Sequence, residues 1–314
     1  MMANVFFNVL IFPGFLFIVV FGMAAEYVDR KFCAKLQNRI GPPWYQPFAD
    51  LVKLVAKEDI IPEEADAGIF KLMPVMAVTA SITAFLYIPL WQTQALFSFY
   101  GDLIVVIYLL TIPTLALFLG GWYSRGVFSR IGATRTMTQF FAYEIPLFLA
   151  ILAPAMLADS WSLSEITVFY SRHLWLLLLN SAGFAIALVA LLGKLERVPF
   201  DIPEAETEIV AGTLTEYSGR LLAFFRIAID IELVVGSSLL AAVFLPFGLN
   251  LGFTLGFVLY LVKVLFIVAL ISLLRTIFAR LRIDQMINFC WKYVAPVAFL
   301  QLIVDLVVKG IIKQ

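Results

Sequence analysis

Eight long apolar runs constrain this chain more than any other feature of its sequence. They lie near residues 5–28, 69–91, 101–122, 137–157, 173–194, 219–245, 252–275 and 286–308. Each is long enough to cross about 30 Å of hydrocarbon at ~1.5 Å per residue. Lipid cannot satisfy free backbone groups, and no strand-type alternation is present, so the runs are expected to be helices. The expected fold class is an all-α polytopic membrane protein of about eight transmembrane helices. It forms a single transmembrane domain over residues 1–314, with no soluble domain and no low-complexity linker.

Composition agrees. The chain is 62% hydrophobic and 14% charged, whereas soluble domains carry about 25% charged residues. Net charge is zero, so no basic patch points to nucleic acid. The opening "MMANVFFNVLIFPGFLFIVVFGMAAEYVDRK" has no basic residue before its apolar run and exceeds a signal-peptide core; it reads as a first spanning helix. Two cysteines, Cys33 and Cys290, cannot alone hold an iron–sulfur cluster, which takes about four thiolates. The single histidine, His173, excludes a histidine-rich metal or haem site and reads as a helix-end residue.

Lys and Arg set the expected orientation. Sixteen fall in or at the edges of the loops after the first, third, fifth and seventh runs, three (Arg172, Lys309 and Lys313) lie on the other side, and Arg226, Lys263 and Lys292 fall inside runs. This bias predicts both termini outside the cell membrane and the loops after the odd-numbered runs on the cytoplasmic side. Residues 44–58, "WYQPFADLVKLVAKE", are too short and too charged to span. Trp44, Phe48, Leu51, Val52 and Val55 recur at helical spacing, with Gln46, Asp50, Lys53 and Lys57 opposite. This pattern predicts an amphipathic helix in the cytoplasmic interface. It serves either as a membrane-surface brace or as a docking ledge for a soluble partner.

Glu144, Arg226, Asp230, Glu232 and Lys263 sit at membrane depth, where ionisable groups mark an ion path or a buried pair. Arg226 and Asp230 are spaced to neutralise each other on one helix. Glu144 has no basic neighbour in sequence, and Pro146 follows it; proline frees a carbonyl and permits a kink of the kind found beside hydrated paths. Lys263 lies midway along its run and calls for a buried partner.

The densest acids lie in 196–219, "ERVPFDIPEAETEIVAGTLTEYSG", with Glu196, Asp201, Glu204, Glu206, Glu208 and Glu216. Helical spacing would put Glu204 and Glu208 on one face and Glu206 roughly opposite. Ile202, Ala205, Ile209, Val210 and Leu214 interleave them, as a segment folded back into the bundle requires. Carboxylates crowded at low dielectric cannot all ionise, so some pKa values rise and the set titrates together. The competing reading is a charged loop that docks a basic subunit.

That acidic segment resembles the acidic loop of the membrane-anchor subunit of respiratory complex I, the NuoH type, and of its relatives in energy-converting membrane-bound [NiFe] hydrogenases. "DRKFCAKLQNRIGP", "QPFADLVKLVAKEDIIP", "AYEIPL", "KVLF" and "RLRIDQMINFCWK" resemble further motifs of that family in the same order. The resemblance implies a subunit with no redox cofactor of its own and no catalysis by this chain alone, within a multi-subunit oxidoreductase. The [NiFe] centre and iron–sulfur clusters would belong to soluble hydrogenase-like large and small subunits on the cytoplasmic side. Antiporter-like and small membrane subunits would complete the assembly. Asp201, Glu204, Glu206, Glu208, Glu216, Glu144, Asp230, Glu232 and Lys263 would form the coupling path for H⁺ or Na⁺. Arg39, Lys53, Lys57, Arg280, Arg282 and Asp284 would dock the soluble arm.

One departure bears on the branch. Gly41-Pro42 and Gln46-Pro47 are separated only by Pro43, Trp44 and Tyr45, whereas quinone-reducing members have a longer connection there. This resembles the hydrogenase branch; a sulfur-reducing relative would look much the same. A quinone-site subunit, a stand-alone transporter and a purely structural anchor are the alternatives. The transporter is disfavoured by the lack of an internal repeat.

Overall fold

The computed structural model describes residues 2–249 and 251–312, with side chains from Phe6 onward apart from those of Glu206 and Ile312. The described residues form helices joined by turns and loops, with no strand. In chain order the helices are α1 (Met2–Leu10), α2 (Phe15–Leu36), α3 (Gln46–Val55), α4 (Ala67–Leu86), α5 (Asp102–Tyr123), α6 (Val127–Ala158) and α7 (Leu163–Arg172). There follow α8 (Leu176–Leu179), α9 (Ser181–Lys194), α10 (Glu206–Ile209), α11 (Gly219–Phe244), α12 (Phe253–Ile277), α13 (Ile283–Phe289) and α14 (Ala295–Ile312). A five-residue π turn, Cys290–Val294, joins α13 to α14.

Seven of the expected crossings are helices long and apolar enough to span a bilayer. The eighth, 173–194, is interrupted. Its apolar helix α9 has 14 residues, about 21 Å at ~1.5 Å per residue, and the break falls at Asn180, whose amide bonds back to the Leu176 carbonyl at 3.4 Å. α11 is the core helix: every residue from Ile231 to Phe244 is buried, as befits a helix apolar on all sides. α2, α4 and α12 pack around it, α6 lies between α5, α9 and α14, and the outer faces of α12 and α14 stay exposed. Gly22 lets α2 meet α11 closely, since a methyl there would stand 3.1 Å from the Asp230 backbone; small residues serve this purpose where transmembrane helices touch.

Of the helix boundaries that differ from expectation, two matter for the site. The first run breaks at Pro13 and Gly14, and α2 then continues to Leu36 instead of stopping near 28. Asp29 and Arg30 therefore join Glu26 on a spanning helix. α6 begins ten residues earlier than expected, so Arg130 and Arg135 belong to its first turns.

The acidic segment folds inward. Phe200, Ile202, Ala205, Ile209, Leu214 and Tyr217 are buried, while Val210 points outward. Tyr217 stacks flat on Phe70 at 4.0 Å between ring centroids and donates to the Phe70 carbonyl at 3.1 Å. Gly212 takes φ +54°, where its backbone crosses the Pro203 carbonyl, and Gly132 on α6 faces it so closely that a methyl would lie 2.5 Å from Thr213 N. Glycine alone fits both positions without shifting the loop.

Candidate functional site: a charged cavity beneath the acidic segment

Where the segment folds back it roofs a cavity of about 720 Å³ between α2, α3, α11 and the loop end of α12. Among the described residues, seven carboxylates line it (Glu26, Asp50, Glu196, Asp201, Glu204, Asp230 and Glu232), with six basic groups (Arg30, Lys194, Arg197, Arg226, Arg275 and Arg280). α3 presents Pro47, Asp50, Leu51 and Leu54 to this space, an i, i+3, i+4, i+7 stripe. Trp44, Tyr45, Val52 and Val55 face outward. Asp50 thus belongs to the inner face and not to the outer polar stripe expected for it, because it meets Arg30 at 3.5 Å and accepts from Gln46 at 2.8 Å.

The wall on α2 is a fixed ion network. Asp29, 0% exposed, accepts from Arg197, from Arg275 at 2.8 Å and from Ser272 at 2.5 Å. Glu26 accepts from Arg197 and from Arg30 at 2.6 Å. Charges removed from water persist only when paired and hydrogen-bonded, and this network meets both conditions. Its arginines come from three elements, so it ties α2, the acidic segment and α12 into one frame.

The inner wall is short of positive charge. Lys194 closes on Glu232 at 3.0 Å and donates to the Leu110 carbonyl. Glu144, buried on α6 with one carboxylate oxygen lacking a hydrogen-bond partner among the described residues, is within Coulombic reach of Lys194 and Glu232. Glu196 also feels Lys194 and Glu232. Three acids therefore share one lysine. Burial pushes the Glu196 carboxyl up to about 8, with the neighbouring negative charges of Glu204 and Glu232 adding to the rise. It can exchange a proton near neutral pH, which suits an acid–base relay.

At the cavity lining, Asp201 pairs with Arg280 at 3.1 Å and Glu204 with Arg226 at 3.5 Å. Arg226 thus makes its ion pair with Glu204; Asp230, four residues away on its own helix, looks across to α2 and feels Glu26, Arg197 and Arg30, with Arg226 a smaller influence. Glu208 is 52% exposed at the rim, 2.6 Å from Arg135, whose guanidinium holds its carboxyl below the usual range. It shares no helix face with Glu204, because α10 starts only at Glu206. The Glu206 side chain lies outside the described residues. Glu216 sits against Gly126, away from the cavity. Lys263 turns to the far end of α11, where it donates to the Phe247 carbonyl and lies over that ring at 4.4 Å; its buried partner is a carbonyl and a ring, and it does not join the acids. Arg39, Lys53, Lys57, Arg282 and Asp284 are exposed near the cavity mouth or its flanking loops, and Arg282 pairs with Asp284 at 3.3 Å. Arg280 is turned inward to Asp201.

Sequence reasoning missed Glu26, Asp29, Lys194, Arg197 and Arg275. The i, i+3 spacing of Glu26 and Asp29 was the available signal, but their partners lie about 170 to 250 residues away, which no spacing rule reaches.

These features define a class: a polytopic α-helical membrane protein with a charged chamber at one end of its bundle and a buried carboxylate, Glu144, on a helix long and apolar enough to span a bilayer. The NADH dehydrogenase family pattern matches residues 8–306, and the chain belongs to that family. It is 34% identical over 310 residues to the H-type subunit of the NADH-quinone oxidoreductase of Carboxydothermus hydrogenoformans, covering 95% of this chain and 88% of that one. Identity to the corresponding NADH-quinone oxidoreductase chain of Bacillus mycoides is 35% over 302 residues, covering 93% and 89%. Among solved structures, a chain of an archaeal respiratory membrane complex, the membrane-bound sulfane sulfur reductase, superposes with a TM-score of 0.83 at 29% identity, covering 92% of this chain and 96% of that one.

Proposed function

We propose that this chain is the membrane subunit of a complex I-like energy-converting oxidoreductase, in the branch of the membrane-bound [NiFe] hydrogenases. It anchors a soluble redox arm at the cytoplasmic face and couples electron transfer to proton or sodium translocation. The [NiFe] centre and the iron–sulfur clusters belong to the soluble partners, and antiporter-like subunits carry the ion. Both termini face outward.

One observation carries the coupling role: Glu144, Glu196 and Glu232 share a single lysine beneath the cavity. A charge change at the cavity mouth alters how many of the three hold protons. The Arg197 network holds the frame while the acids change charge.

The branch rests on the short Gly41–Gln46 connection. The sulfane sulfur reductase chain superposes over 92% of this chain at a TM-score of 0.83. That likeness equally favours a second reading, in which the soluble arm reduces a sulfur compound. Purifying the native assembly, identifying its subunits and assaying H₂ evolution, sulfur reduction and quinone reduction tests the proposal. Hydrogen evolution supports the hydrogenase branch, sulfur reduction the second reading, and quinone reduction alone contradicts both.

A further inference from the structure

A second polar cluster lies at the other end of α9, where it breaks from α8, and the coupling role does not use it. Gln301 and Asp305 on α14 are both buried there, Asp305 at 0% exposure. Gln301 Nε2 stands 3.1 Å from each of three oxygens: the Leu179 carbonyl, Asn180 Oδ1 and Asp305 Oδ1. A side-chain amide nitrogen has only two hydrogens, so one of these acceptors is left over. Among the described residues, Asp305 Oδ2 is buried without a hydrogen-bond partner. The nearby donors are committed elsewhere. Asn180 Nδ2 serves the Tyr170 hydroxyl at 2.9 Å and the Leu176 carbonyl at 3.4 Å, and Tyr170 donates to the Pro154 carbonyl at 3.2 Å. Lys309, one turn beyond Asp305, is turned to Asp159 at 2.5 Å.

The cluster therefore has more oxygens than hydrogens to satisfy them. A carboxylate, an amide oxygen and a backbone carbonyl gathered about one point form a donor set for a small hard cation. Interrupted transmembrane helices, whose carbonyls come free at the break, are where Na⁺ is held in membrane proteins. We propose that this cluster binds one Na⁺ per chain between Asp305, Asn180 Oδ1 and the Leu179 carbonyl, with the Gln301 amide turned so that its oxygen faces the ion. The turn needs no repacking, because amide oxygen and nitrogen are nearly the same size. A monovalent ion also balances the single carboxylate, whereas a divalent one would leave net charge in a place where charge is costly. The ion joins α14 to the α8–α9 break.

The test is equilibrium binding of radiolabelled Na⁺ to the purified native assembly in lipid nanodiscs, comparing wild type with Asp305→Asn and Asn180→Ala. Asp305→Asn should bind one Na⁺ fewer per chain. Asn180→Ala, which keeps the carboxylate, should weaken that same class of site by about tenfold or more, and equimolar K⁺ should not displace the ion. Unchanged stoichiometry and affinity in both variants overturns the proposal, as does displacement by K⁺. If Asp305→Asn fails to assemble, Asn180→Ala decides alone, and wild-type affinity in that variant means Asp305 holds a proton and not Na⁺.

Discussion

Replacing Glu196 with Gln isolates one titrating group at the cavity. Its carboxyl titrates at about 8 because burial opposes its charge and Glu204 and Glu232 repel it, more than Lys194 and the Thr136 hydroxyl offset. That rise above the ordinary carboxylate range means that holding the charge at high pH costs on the order of several kcal/mol. The folded-state value lies above the unfolded one and the group is an acid. Its neutral form is the one the fold favours, and stability is lost as pH climbs from about 4 toward 8. Glutamine mimics the protonated form, so the variant should assemble at pH 7 and lose this decline. In proteoliposomes, ion uptake per electron pair by wild type should fall as pH passes through 8, with about nine-tenths of Glu196 protonated at pH 7 and about one-tenth at pH 9. Glu196→Gln should give a flat profile over that range. The same high-pH limb in wild type and variant would refute the assignment and move the titration to another group.

Arg197→Met removes a partner from both Glu26 and Asp29. Leaving buried carboxylates underpaired costs about 3–5 kcal/mol, so the subunit should be lost from the assembled complex, as read by quantitative blotting of purified membranes. Lys53→Glu with Lys57→Glu reverses two exposed charges beside the cavity mouth and should release the soluble arm from washed membranes at physiological salt; an arm that stays bound means these lysines do not carry docking. Quinone-site inhibitors should leave turnover of the purified complex with its own acceptor unchanged, and abolition of a quinone-dependent activity would restore the quinone-site reading.

Much of the bundle was legible because lipid forces it. Where apolar composition alone decides, as in α5, α11 and α12, the helix ends fall within two residues of the expected ones. Reading failed where tertiary pairing overrides composition. α2 carries Glu26 and Asp29 through the membrane interface because Arg197 and Arg275 await them. The inward fold of the acidic segment was legible from Ile202, Ala205, Ile209 and Leu214, since a solvated loop would not need them. Which of its acids face the cavity was not legible. Glu204 and Asp201 do, while Glu208 turns to Arg135, which composition assigns to a loop and which lies instead on α6. Spacing also favoured an Arg226–Asp230 pair, yet Arg226 is more exposed than Asp230 and extends to Glu204 at the rim. Local spacing reports only that two groups can meet, and the wider charge field decides whether they do.

The central claim is that carboxylates beneath the cavity carry the coupling. Glu144→Gln tests it most directly, because Glu144 is buried on α6 beyond the cavity lining and takes part in no ion pair among the described residues. The substitution keeps shape and removes a titrating group. The measurement is ion uptake into vesicles per electron pair, with subunit content and soluble-arm redox turnover followed in the same preparation. Under the proposed coupling role, assembly and redox turnover should survive and ion uptake should be lost. An unchanged ratio of ions to electrons would contradict it and leave Glu144 a structural residue.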